Sequence, residues 1–276
     1  MTTIQTFIDS MTLESIGPDT YTAPNAEPGH NVVFGGQLMG QSIMAAVAGK
    51  EGMYAKTLHI VFARAAKPEL PVEIEVEPMH GGRTFASTTV TIRQGDRLCT
   101  RGIVLLTTDD DDLISHGEPM PDAGDPLDAT PSKGSSDAWE IRYAGGVDIN
   151  DPALVGPAEL DVWTRFVGAP TDPAMGQALL AFATDGFCIA TAMRPHEGVG
   201  QSLAHRTIST GVISHTITFH EPVDASGWML LHNTSPYAGR GRAYGRGDAF
   251  SADGRHVASF VQDSMIRPMS GPPGSL

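Results

Sequence analysis

Apolar Leu38, Ile43, Met44 and Val47 recur at the spacing of one helical face between Phe34 and Lys50, behind a glycine-rich start, and predict a helix there. The periodicity then changes from helical to alternating. Four stretches, Thr57–Ala63, Val72–Met79, Thr84–Arg93 and Leu98–Thr107, read as strands separated by Pro68/Pro71, Gly81-Gly82 and Gly95-Asp96 turns. The second half repeats this order. A helical pattern over Asp172–Thr184, carried by Met175, Leu179, Leu180 and Phe182, precedes strands near Val212–His220, Trp228–Thr234, Arg242–Ser251 and His256–Met265.

The repetition reaches single residues. Met39-Gly40-Gln41-Ser42-Ile43-Met44-Ala45 matches Met175-Gly176-Gln177-Ala178-Leu179-Leu180-Ala181 at an offset of 136. Phe62 matches Phe219 and Gly82-Arg83 matches Gly239-Arg240 at an offset of 157. A duplicated unit follows, each copy a helix whose apolar stripe must be covered by the antiparallel sheet after it. Two such sheets laid edge to edge would blunt two exposed edges at once. Between the copies, Asp109-Asp110-Asp111-Asp112 opens a stretch rich in Gly and Pro that buries too little apolar surface to order itself. It lacks the spaced ligands and turn glycine of a calcium loop, so a solvated segment is expected. The expected organisation is α+β, with units over 1–108 and 138–276 and a linker over 109–137.

Composition narrows the function. The net charge of −14 over 276 residues, with Lys and Arg scattered singly, argues against binding nucleic acid. Runs of seven or eight apolar residues fall short of the roughly 20 a membrane helix needs, and Met1-Thr2-Thr3-Ile4-Gln5 carries no basic-then-apolar signal. A cytoplasmic protein not associated with membranes is expected. Cys99 and Cys188, with no CxxC partner, read as buried thiols. His215 and His220, five apart on one strand, face opposite sides, which argues against shared metal ligation or a Ser-His pair. No Gly-x-Ser-x-Gly elbow, phosphate loop or dinucleotide fingerprint appears.

Three stretches carry a family resemblance: Asn31-Val32-Val33-Phe34-Gly35-Gly36-Gln37, the run Ser214-His215-Thr216-Ile217-Thr218-Phe219-His220 with Pro222, and Val257-Ala258-Ser259 through Gln262-Asp263-Ser264-Met265-Ile266-Arg267. From about Leu13 to Arg267 the chain resembles the type II acyl-CoA thioesterases. The resemblance implies a double hot-dog fold, hydrolysis of acyl-CoA to free acid and CoA without metal or cofactor, and a homodimer or larger homo-oligomer. It also implies a catalytic Asp after the second helix, matched by Ala183-Thr184-Asp185, and a Gln in the last strand, matched by Val261-Gln262-Asp263. The family's third group, a Thr or Ser, falls on Val212. If Thr210, Val212 and Ser214 share a strand face, Thr210 or Ser214 stands in through a shift or bulge.

Each of these residues also has a plain structural reading. Asp185, at the end of the apolar run Leu179–Ala183, is either a base whose proton affinity desolvation raises or an acidic residue in the loop before Gly186. Gln262 either orients water or makes a structural hydrogen bond. Gly35, Gly36 and Gln37 either present helix-start N–H groups to a carbonyl or carboxylate of the substrate or serve close helix-on-sheet packing. Arg83, Arg240, Arg242 and Arg246 are candidate contacts for the CoA phosphates or solvated strand ends. Two rival functions remain: a hydratase, which would want a histidine about five residues from the Asp, and a non-catalytic acyl-CoA binder, suggested by Val212.

Overall fold

The computed structural model describes residues 3–26 and 31–269. Met1 and Thr2 of the expected unsignalled start lie outside them. Each half is built around one of the two expected helices, α2 (Gly35–Val47) and α3 (Pro173–Thr184). α1 (Ile4–Met11), β1 (Glu14–Gly17) and β2 (Thr20–Ala23) precede α2; β3 (Tyr54–Phe62), β4 (Val72–Gly81), β5 (Phe85–Gln94) and β6 (Arg97–Thr107) follow it. β7 (Thr130–Pro131), β8 (Trp139–Tyr143) and β9 (Glu159–Phe166) lead into α3 and a short continuation, α4 (Cys188–Met193). The chain ends through β10 (Ile208–Phe219), β11 (Met229–Gly239), β12 (Arg242–Ser251) and β13 (His256–Pro268).

All the strands join one 13-stranded antiparallel sheet in the order β1-β2-β4-β5-β6-β3-β10-β13-β12-β11-β9-β8-β7. The halves meet edge to edge where β3 pairs with β10, from Val61 opposite Ser214 to Thr57 opposite Thr218. That join removes an edge from each copy. This is the double hot-dog arrangement the resemblance implied.

α3 starts where Asp172 accepts a hydrogen bond from the Met175 N–H at 2.8 Å and Pro173 supplies a preset first turn. Every residue from Met175 to Thr184 is buried, so the helix is apolar all round and lies at the centre of the protein. The 21-residue stretch Pro173–Met193 matches a membrane span in length and hydropathy, yet most of it is buried inside the protein. α2 packs directly on α3. A Cβ on Gly36 would collide with the Phe182 carbonyl, and one on Gly40 would sit 3.2 Å from the Ala178 carbonyl. The glycines at the start of α2 therefore serve a close helix–helix approach, where the sequence suggested helix on sheet.

The two halves are also clamped across their boundary. Gln177 of α3 accepts from the Ala55 N–H at 3.0 Å and donates to the Ala55 carbonyl at 2.7 Å, at a bulge of β3. Its sequence counterpart Gln41 instead donates to the Ser10 carbonyl at 2.8 Å, tying down α1. Phe7 of α1 meets Phe166 and Phe182 edge to face, beside the stacked pair Trp139 and Phe166.

The acidic Gly/Pro-rich stretch is ordered by the sheet it crosses. Met120, Ala123 and Ala129 pack on Trp163, Leu230 and Phe250 on the outer face of the second half. Trp163 Nε1 donates to the Ala123 carbonyl and Glu118 N–H to His256 Nδ1, each at 3.4 Å. Cys99 and Cys188 are buried free thiols, as expected.

Candidate active site

α3 ends at Asp185, and the chain breaks through Gly186 before resuming as α4. This break delivers a carboxylate to the start of α2 in the other half. Gly36 N–H donates to Asp185 Oδ2 at 3.0 Å, and Gln262 Nε2 donates to Oδ1 at 3.3 Å. A Cβ on Gly35 would stand 2.7 Å from the same Oδ2, so only glycine admits the carboxylate here. Asp185 is 6% exposed and Gln262 fully buried. Burial lifts the Asp185 carboxyl from 3.8 to about 7, against the opposing pull of the Gly36 N–H and the Gln262 amide. The group thus exchanges a proton near neutrality, as a general base requires.

A buried polar chain holds Gln262. Thr184 Oγ1 gives its only hydrogen to the Ala181 carbonyl at 2.9 Å, so it accepts from His215 Nε2 at 3.2 Å. That fixes the imidazole tautomer with the proton on Nε2 and leaves Nδ1 to accept from Gln262 Nε2 at 3.3 Å. Burial pushes the His215 pKa down to about 3, which keeps the ring neutral. Ser264 Oγ donates to Gln262 Oε1 at 3.1 Å, so the amide nitrogen is the end that faces Asp185. Burial, aided by the charge on Asp185, pushes the Cys188 thiol up to about 12, which makes it inert as a nucleophile at neutral pH.

The structure brings Asp185 and Gln262 together and leaves Thr210 and Ser214 outside the cluster. β10 bulges between Val212, opposite Ser264, and Ser214, opposite Asp263. The extra residue turns Ser214 to the outer face, where its hydroxyl donates to Asp263 Oδ2 at 3.1 Å. The expectation that Thr210, Val212 and Ser214 share a face therefore fails at the bulge. Thr210 stays on the inner side, opposite Ile266, with its hydroxyl 3.5 Å from His205 Nε2.

Of the helix-start residues, Gly35 and Gly36 line Asp185, and the Gly36 N–H serves this carboxylate of the chain itself. Gln37 turns away, accepting from the Ala26 N–H at 3.0 Å and donating to Asn25 Oδ1 at 2.9 Å. Arg240 and Arg242 are exposed on the β11–β12 hairpin, where Arg242 stands opposite Met265, next to Ser264. Arg246 is exposed on the same strand and donates to Thr234 Oγ1 at 3.2 Å. Arg83 is exposed in the corresponding hairpin of the other half. The surface hollows beside Thr22, Leu70 and Pro71 and beside Asp9, Leu13 and Pro24 touch none of the Asp185 cluster.

The duplicated halves differ at the matching positions. Where the second half pairs His215 with Gln262, the first pairs Leu58 with Val104, and Gly49 occupies the place of Asp185. Sequence reasoning missed the supporting roles of Thr184, His215 and Ser264. The spacing of Gln262 and Ser264, two apart on a strand, was the available signal.

The cluster is thus a buried carboxylate of raised proton affinity, held by a helix start and a carboxamide between two hot-dog halves, an arrangement chemically able to take a proton from water. The chain matches the family model for the acyl-CoA thioesterase N-terminal domain over residues 22–107 and that for the C-terminal domain over 114–266. It belongs to the TesB-like type II acyl-CoA thioesterase family. It is 27% identical to acyl-CoA thioesterase 2 of Haemophilus influenzae, covering 96% of this chain and 98% of that one. It is 25% identical to mouse acyl-coenzyme A thioesterase 8, covering 93% and 87%. Among solved structures, acyl-CoA thioesterase II TesB2 of Mycobacterium marinum aligns with a TM-score of 0.80 at 26% identity, covering 97% and 98%. The tesB protein of Mycobacterium avium subs paratuberculosis aligns at 0.83 with 23% identity, covering 96% and 100%.

Proposed function

We propose that this chain hydrolyses acyl-CoA at Asp185, with Gln262 as its partner. The observation that carries the reading is the Asp185 carboxyl, raised to about 7 and hydrogen-bonded to both Gly36 and Gln262. Above that pH the carboxylate takes a proton from water as the water oxygen bonds to the thioester carbon. The tetrahedral intermediate then collapses, the C–S bond breaks, and Asp185 returns the proton to the departing CoA sulfur. The net reaction is acyl-CoA plus water to carboxylic acid plus CoA thiol. Negative charge on the carbonyl oxygen is met by the positive end of α2, with Gly35 N–H as donor. Arg240 and Arg242, on the hairpin beside Ser264, serve the CoA phosphates.

The test is thiol release from a panel of acyl-CoAs, read with a thiol dye. Turnover that disappears in Asp185→Asn and Gln262→Ala supports the proposal. Val212 favours a second reading, a binder without turnover. Binding of acyl-CoA with no thiol release at any chain length would select it.

A further inference from the structure

Hydrolysis by Asp185 asks for a second fixed contact on the water. One hydrogen goes to the carboxylate, and without another anchor the water turns freely and its lone pair is not aimed at the carbonyl. Val212 faces the site from β10 and has no hydroxyl to give. Thr184 cannot serve, because its hydrogen goes to Ala181 and its oxygen is occupied by His215. Directly across the ladder from Val212 stands Ser264, 1% exposed, on the same face of β13 as Gln262. Its hydroxyl hydrogen goes to Gln262 Oε1, and among the described residues nothing donates to its oxygen. An unclaimed acceptor is thus buried at one end of the Gln262 carboxamide, while the other end bonds Asp185.

We propose that Ser264 is the third catalytic residue, a hydroxyl carried on β13 in place of one at position 212 on β10. Water donates one hydrogen to Asp185 and the other to Ser264 Oγ, while the Ser264 hydrogen stays on Gln262 Oε1. The water oxygen keeps a lone pair directed at the thioester carbon. Ser264 remains unmodified, and bond making and breaking are as in the proposed hydrolysis, on which this inference rests. A cross-strand pair shares one face of the sheet, so a hydroxyl at either position of the 212/264 pair reaches the same water.

The experiment measures kcat, KM and their pH profiles for Ser264→Ala, Ser264→Ala/Val212→Thr and Asp185→Asn, with thermal melts to confirm folding. Ser264→Ala is expected to lower kcat by roughly 10²-fold at unchanged KM, the usual effect of losing one placed hydrogen-bonding group. The rising limb of the pH profile should stay where it is, and adding Val212→Thr should restore at least a tenth of the wild-type kcat. Near-normal kcat in Ser264→Ala while Asp185→Asn is dead would overturn the role of Ser264 alone. So would a limb displaced upward, because that places Ser264 as a brace for Gln262, or a folded double variant with no recovery. Normal turnover by Asp185→Asn would instead sink the hydrolytic reading beneath it.

Discussion

Asp185→Asn separates stability from activity in a way that pH reveals. In the native protein burial holds the Asp185 carboxyl near 7 against an ordinary value of 3.8, a rise of about three pH units. At about 1.4 kcal/mol per unit, keeping the group ionised in the fold costs on the order of 4 kcal/mol. The native state keeps its proton to higher pH than the unfolded chain. The penalty is therefore absent below about pH 4, grows as pH rises through the native value, and is complete above it. Asparagine carries no charge, so the variant lacks this dependence. It presents an amide hydrogen to either Gly36 or Gln262, a pH-independent loss of roughly 1–3 kcal/mol. Urea denaturation of both proteins from pH 5 to pH 8.5 should show the variant gaining on wild type by about 3 kcal/mol, nearly all of it between pH 5 and the native value, while its thiol release is lost. A stability difference that is flat with pH would refute the assignment of a desolvated carboxyl.

Gly36→Ala places a methyl against the Phe182 carbonyl and displaces the donor to Asp185; a loss of roughly 1–3 kcal/mol by denaturation, together with a fall in kcat, is expected. Gln177→Leu strips both hydrogen bonds from the Ala55 backbone where the halves join. Thermal unfolding should show a loss of about 2–5 kcal/mol with little change in KM. Arg240→Ala/Arg242→Ala should raise KM for acyl-CoA, and flatten its salt dependence, while leaving turnover of an acyl-pantetheine that lacks the nucleotide unchanged.

The tandem organisation was legible because repeats conserve spacing: the matched helices at an offset of 136 foretold α2 and α3, and alternation found all eight strands that follow them. α1, β1, β2, β7, β8, β9 and α4 escaped. α1 is short and held by Phe7 and Met11 packing against distant partners, and α4 resumes only after the break at Asp185. Asp185 and Gln262 were found through local motifs. Their supports were hidden because His215, Ser264 and Val212 become neighbours through strand register, which a bulge shifts by one residue. That same bulge sends Ser214 to the outer face, a consequence no count of alternating positions contains.

In the proposed hydrolysis Asp185 and Gln262 act as one unit on a thioester. The most direct measurement is CoA thiol release by wild type, Asp185→Asn, Gln262→Ala and the double variant. If the pair works as a unit, either single substitution removes nearly all the turnover that the double removes. Losses that multiply, or a single variant that turns over like wild type, would contradict it.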